Sequence, residues 1–170
     1  MPSNVATVSA TFPDAYTEIV RVTIPNNSTA IIAGFLNGCT SITSFDIPLS
    51  VTEIGDNAFR GCNNLSGITL PNGLEKIGSY AFYGCTLIDD LTIPSSVAAI
   101  GYNAFGSCAQ IRSVVISGEA GTLSSLFPNA YQQIVSVTVI PGSAKLMNRI
   151  FAGCKSLKNV DIPTSVTEIG

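Results

Sequence analysis

The sequence has no histidine and no tryptophan, and only 8 basic and 11 acidic side chains among its 170 residues. Lack of histidine removes the commonest general base and metal ligand. No Gly-x-Gly-x-x-Gly, phosphate-binding loop or His-Glu-x-x-His is present, which argues against the commonest nucleotide and zinc-hydrolase chemistries. Long apolar runs are missing too. The longest, Ala30 to Leu36, is interrupted by Gly34, whereas a spanning helix needs about 20 residues. Disorder is excluded from the other side, since 46% of the residues are hydrophobic and the net charge is only −3. With an isoelectric point near 4.7 there is no basic footprint for nucleic acid. Met1-Pro2-Ser3-Asn4 does not open a signal peptide, so an export signal would lie outside this chain. What needs explaining is a mean hydropathy of +0.41 with so little charge.

The cysteines supply the explanation. Cys39, Cys62, Cys85 and Cys108 are spaced by 23, and Cys154 follows after twice that interval. The skipped position is Tyr131, and Tyr16 stands one period before Cys39. Other columns hold the same register: Leu36, Phe59, Phe82, Phe105, Phe151; Phe45, Ile68, Leu91, Val114, Val137, Val160; Ile31, Ile54, Ile77, Ile100, Leu123, Leu146, Ile169. A period of this size throughout a chain is the signature of a repeat architecture. A second variant recurs after 115 residues, five periods: Phe12-Pro13-Asp14-Ala15-Tyr16 returns as Phe127-Pro128-Asn129-Ala130-Tyr131. Duplication of units accounts for it, since repeat arrays grow by copying.

Twenty-three residues cannot hold two ordinary helices, and Pro, Gly and Ser interrupt any single one. Ser44-Phe45-Asp46-Ile47 alternates outward and inward like a half-buried strand. Its equivalents at 21–24, 67–70, 90–93, 113–116, 136–139 and 159–162 predict seven short parallel strands, one per rung. At about 4.8 Å per strand, six steps make a rod of about 29 Å. Proline after most strands ends the pairing. The segment 55–61 reads as a short helical or 3₁₀ turn, with Asp56 or Asn57 as cap and Gly61 as stop. Each rung presents a row of apolar side chains that only its neighbours bury.

Leu65-x-x-Ile68-x-Leu70-Pro71, continued by Leu74-x-x-Ile77-Gly78-x-x-Ala81-Phe82-x-Gly84-Cys85, resembles the BspA-like leucine-rich repeat family. So does the run from Leu91 to Phe105. The resemblance implies a leucine-rich repeat solenoid, a right-handed, horseshoe-like superhelix, with strands on one face and turns or short 3₁₀ segments on the other. It extends over 1–170 as a single array of about seven rungs, expected to be a segment of a longer protein. The pattern departs at 117–133, where Ser117 replaces proline and Pro128 stands in the phenylalanine column, so a local bulge or looser packing is expected there.

The cysteines are a full rung apart, unlike zinc ligands grouped in one loop. Disulfides between adjacent rungs are allowed by distance, but stacked side chains point the same way and the count is odd. The favoured reading is a column of buried thiols acting as small hydrophobes. Paired acids are no better placed for catalysis: Asp46 and Asp161 are five rungs apart, and Asp89-Asp90 reads as a solvated rim. The expectation is therefore no enzyme, cofactor or metal.

The outward columns form the expected concave binding face: Arg21, Thr23, Ser44, Asp46, Thr69, Asp90, Thr92, Ser113, Thr138, Asn159 and Asp161. Turns bearing Tyr80, Tyr83 and Tyr102 offer a second contact, and Lys145, Arg149, Lys155 and Lys158 a basic patch able to steer an acidic partner. Seven rungs without catalytic chemistry predict a noncatalytic protein-interaction module. By resemblance, it would be an adhesin-like part of a secreted or cell-surface protein, contacting host extracellular matrix or another cell without entering the membrane. The alternative is a structural spacer presenting another domain. Neither end reads as a polar cap (Val5 and Val8 match Ala120 and Leu123 in mid-rung), so self-association or fraying at the C-terminal end is expected.

Overall fold

The computed structural model describes residues 7–170; Met1–Asn4 and Val5 of the sequence reading lie outside them. Two short strands recur in the rungs. In chain order they are β1 (Ala30–Ile31), β2 (Ser44–Phe45), β3 (Glu53–Ile54), β4 (Gly67–Ile68), β5 (Lys76–Ile77) and β6 (Asp90–Thr92). After them come β7 (Ala99–Ile100), β8 (Ser113–Ile116), β9 (Ser136–Val139), β10 (Lys145–Leu146), β11 (Asn159–Asp161) and β12 (Glu168–Ile169). Every pairing is parallel, and the partners are one repeat apart: Phe45 with Ile68, Val114 with Val137, Ile54 with Ile77. The chain is thus a parallel-strand solenoid, as the period requires.

The first ladder has two parts, β2-β4 and β6-β8-β9-β11. Six of the seven expected strands form. The segment 21–24 is unpaired, and near it the Thr17 carbonyl is held by the Ser41 and Thr40 hydroxyls instead. Between β4 and β6 the pairing lapses where the Asp90 N–H donates to the carboxylate of its own neighbour, Asp89 (2.9 Å). The second ladder, β1-β3-β5-β7 and then β10-β12, was foreseen only as an inward isoleucine column.

The turns stack by hydrogen bonds as well. Asn57, Phe59 and Gly61 donate N–H to the carbonyls of Ser79, Ala81 and Tyr83, and Tyr80, Phe82 and Gly84 repeat this one level on. Asp56 does not cap its own turn; its carboxylate accepts the Ser79 N–H of the next rung at 2.7 Å. Such intimacy of backbones restricts one position to glycine in three consecutive rungs. A Cβ on Gly55, Gly78 or Gly101 would stand 2.5, 2.5 and 2.3 Å from a backbone nitrogen of the preceding rung. Gly78→Ala is therefore expected to cost about 1–3 kcal/mol through forced displacement, read as a lower midpoint in urea unfolding. An unchanged midpoint would contradict this close approach.

The core is a set of columns rather than a globule. Phe59 and Phe82 are stacked with centroids 5.0 Å apart, Phe82 and Phe105 at 5.3 Å, and Phe127 continues the column at 5.6 Å from Phe105. Side-chain polar atoms without partners are not buried anywhere among the described residues.

The irregular rung at 117–133 does depart from the regular path, but it is not loosely packed. Thr122 caps a one-turn helix, α2 (Leu123–Leu126), by accepting the Ser125 N–H, and the helix delivers Phe127 into the core fully buried. Its counterpart 115 residues earlier, α1 (Val8–Thr11), is capped in the same way by Thr7. Sequence and local structure therefore share the longer period. The same rung also departs in the column of Gly55, Gly78 and Gly101, where it holds Ser124.

Candidate interaction surface

Alternation along the first ladder turns Phe45, Leu91, Val114 and Val137 inward. It leaves Ser44, Asp46, Thr69, Asp90, Thr92, Asn159 and Asp161 exposed, with Ser113 and Thr138 half-buried. Arg21 and Thr23 are exposed in the same alternation, although their segment is unpaired. These columns lie on one continuous side, linked laterally by contacts such as Thr138 Oγ1 to Asp161 Oδ2 (3.5 Å). Charge on it is sparse: Arg21 near one end, then Asp46, Asp90 and Asp161.

Two shallow hollows bracket the start of the paired ladder. One, of about 320 Å³, has Ser44, Asp46, Gly67 and Thr69 in its lining; the other, of about 470 Å³, adjoins Asn26, Asp46 and Pro48. Leu49 stands between them, 86% exposed and contributing to both. Leu49 was not among the residues expected on this face, although its column marks it: the position after the strand-ending proline is Asn26, Asn72, Ser95 and Thr164 in other rungs and apolar only here. Gly67 deepens the notch by carrying no side chain.

The basic residues do not share one face. Lys145 sits on β10 and is paired with Glu168 of β12; Arg149 follows on the turn, and Lys155 and Lys158 lead toward β11. A similar pair, Lys76 Nζ to Glu53 Oε1 at 2.7 Å, spans β5 and β3. Both pairs are solvated, and water screens them.

On the turn side the tyrosines do meet. Tyr80 makes edge contacts with Tyr83 and Tyr102, each at 5.6 Å, and the Arg60 guanidinium lies 5.5 Å from the Tyr83 ring and 5.8 Å from that of Tyr80. Tyr80 adopts a positive φ of 56°, as do Asn57 and Asn103 at the same turn position.

The thiols point into the core. Cys39, Cys62, Cys85 and Cys108 are fully buried and unbridged, with Cys154 partly covered. The Sγ–H groups of Cys62, Cys85 and Cys108 donate to the carbonyls of Leu36, Phe59 and Phe82 at 3.1–3.2 Å. Burial pushes the Cys62 and Cys108 thiols up to about 12 from the usual 9.0, and that of Cys85 further. Groups held protonated in this way are inert as nucleophiles. Among the described residues no acidic or thiol side chains gather as a metal site, and no helix is long and apolar enough to cross a membrane.

A model of the BspA type leucine-rich repeat region matches in six copies over residues 9–134 and 123–170. The chain belongs to that family. Solved structures agree with this membership. A leucine-rich repeat protein of T. pallidum is 28% identical with a TM-score of 0.61, over 83% of this chain and 66% of that one. One from Bacteroides ovatus is 30% identical, TM-score 0.61, over 86% and 38%; one from Eubacterium ventriosum is 25% identical, TM-score 0.62, over 82% and 37%. This BspA-type chain thus spans between about a third and two thirds of their lengths. A comparison with curated proteins gives no significant match.

Proposed function

We propose that this BspA-type array is a noncatalytic adhesive module, displayed outside the cell and holding a protein partner along its first-ladder face. The observation that carries the reading is Leu49, standing exposed beside Asp46 and the Gly67 notch on an otherwise small, polar and uncommitted surface. A lone exposed apolar side chain beside shallow hollows gives a partner an area to bury, and this is the part of the face so arranged. Membership of a repeat family whose members are typically interaction modules supports it. The acidic residues Asp46, Asp90 and Asp161 favour a partner surface that is neutral or basic.

The test is solid-phase binding of the whole chain to immobilised extracellular-matrix proteins. Saturable binding is expected, weakened about tenfold by Leu49→Ser and unaffected by Lys158→Ala. No saturable binding to any matrix protein would remove the adhesive reading. The uniformity of the Ser, Thr and Gly columns elsewhere would then favour a spacer that projects another part of a longer protein.

A further inference from the structure

One seam in the stack differs from the rest. The second ladder runs unbroken from β1 to β7, but at the next level the chain forms α2, leaving β7 as a sheet edge. The α2 rung bonds forward: Leu123 N–H donates to Ile150 O (3.0 Å), Met147 N–H to Gly118 O (3.0 Å) and Gly118 N–H to Ser143 Oγ (3.2 Å). Gly118 lies so close to the following rung that a Cβ there would be 2.1 Å from the Lys145 carbonyl. Drawn to one side, α2 leaves a cleft of about 510 Å³ between itself and the β7 rung.

Tyr102, Asn103 and Ile100 line one wall, and Ser124, Ser125 and Pro128 belong to the other; no charged side chain takes part. The size falls within the range of small-ligand sites. The Tyr102 ring is 71% exposed yet braced edge-on by Tyr80 at 80°. Ser125 Oγ is tied to the Thr122 carbonyl (2.8 Å) and Ser124 Oγ lies 3.2 Å from Thr122 Oγ1, so both hydroxyls are fixed. A flat aromatic surface beside an amide, opposite anchored hydroxyls and with no charge, matches a neutral sugar ring: C–H groups against the aromatic and hydroxyls against the polar atoms. A charged ligand would find no counter-ion, and a purely apolar one would leave the polar groups unpaired. A peptide strand added to the two-residue β7 would meet a helix on its other side and gain hydrogen bonds on one edge only.

We propose that this cleft binds a neutral pyranose unit of an oligosaccharide, independently of the first-ladder face. The experiment titrates the isotopically labelled full chain with the methyl pyranosides of glucose, galactose, mannose and N-acetylglucosamine, following backbone amides by NMR. Saturable shifts confined to 100–103 and 120–128 are expected with at least one of them, at a Kd on the order of a few mM for so small a ligand. Tyr102→Ala, at an exposed position, should weaken binding at least tenfold. Asn103→Gly, which keeps the left-handed backbone (φ 52°) while deleting the amide, should weaken it too. Thr69→Ala should leave it unchanged. No shifts with any of the four sugars, shifts indifferent to Tyr102→Ala, or shifts produced only by an uncharged Thr/Val peptide would each overturn the assignment.

Discussion

Phe82→Ala is expected to destabilise the array by about 4–5 kcal/mol. Truncating a buried phenylalanine costs about 3–5 kcal/mol, and loss of stacked aromatic partners puts Phe82 at the upper end of that range. Phe82 loses two such partners, Phe59 and Phe105, whose rings lie within 3° and 1° of parallel to its own. Relaxation into the hole is obstructed on both sides. Phe59 N–H is bonded to Ala81 O at 2.7 Å and Phe82 N–H to Ala104 O at 2.8 Å, so the turns cannot slide inward separately. Position along the stack matters as much as burial. Phe151 occupies the same column near the C-terminal end but is only half-buried, and Phe151→Ala should cost less than half as much. Urea unfolding of the two variants decides the matter. Since repeat stability is a sum of rungs and nearest-neighbour interfaces, Phe82→Ala should also broaden the transition. Equal losses for both variants would refute a core shared between levels.

Stability should also fall steeply in alkali. Cys62, Cys85 and Cys108 remain protonated in the fold well above the usual value of 9.0, because burial penalises their thiolates. The unfolded chain releases those protons from about pH 9, so the unfolded state binds fewer protons and gains stability as the pH climbs. The contribution is fully present below pH 9 and diminishes by about 1.4 kcal/mol per thiol by pH 10. Acting together at three positions, this rivals the loss of a core phenylalanine. Urea midpoints at pH 7.5, 9 and 10 in reducing buffer should show the decline, and Cys62→Ala/Cys85→Ala/Cys108→Ala should flatten it while lowering the neutral-pH value. A wild-type midpoint independent of pH to 10 would place these thiols in contact with water.

The regular part of this fold was legible because a fixed period copies one decision many times: Phe59, Phe82 and Phe105 each vote for the same inward column. The second ladder escaped because β3 and β5 are two residues long, too short to show any alternation. α2 escaped for a related reason. Pro128 marks the departure in the phenylalanine column, but a helix of one turn, capped by Thr122 and spanning only Leu123–Leu126, is too short to show a helical period. The surface was legible as columns, Thr69 beside Asp46 beside Ser44, since outward alternation follows from inward alternation. Which outward residue stands clear of its neighbours was not, because the cover over a turn residue such as Leu49 is set by how adjoining turns stack and not by alternation.

The strand pairs and the Phe59-Phe82-Phe105 stack join each residue to its counterpart in an adjoining rung, and this gives the molecule an unusual freedom in evolution. Unequal exchange that adds or removes whole rungs presents matching seams, whereas a loss of one residue would slip every column beyond it. Length is thus adjustable without redesign of the core. The helix-bearing rung adds a slower rhythm: an array extended by complete 115-residue blocks would set successive helices five rungs apart, about 24 Å. Whatever one such rung holds, a longer array would hold in evenly spaced multiples, and weak single contacts would sum to avidity.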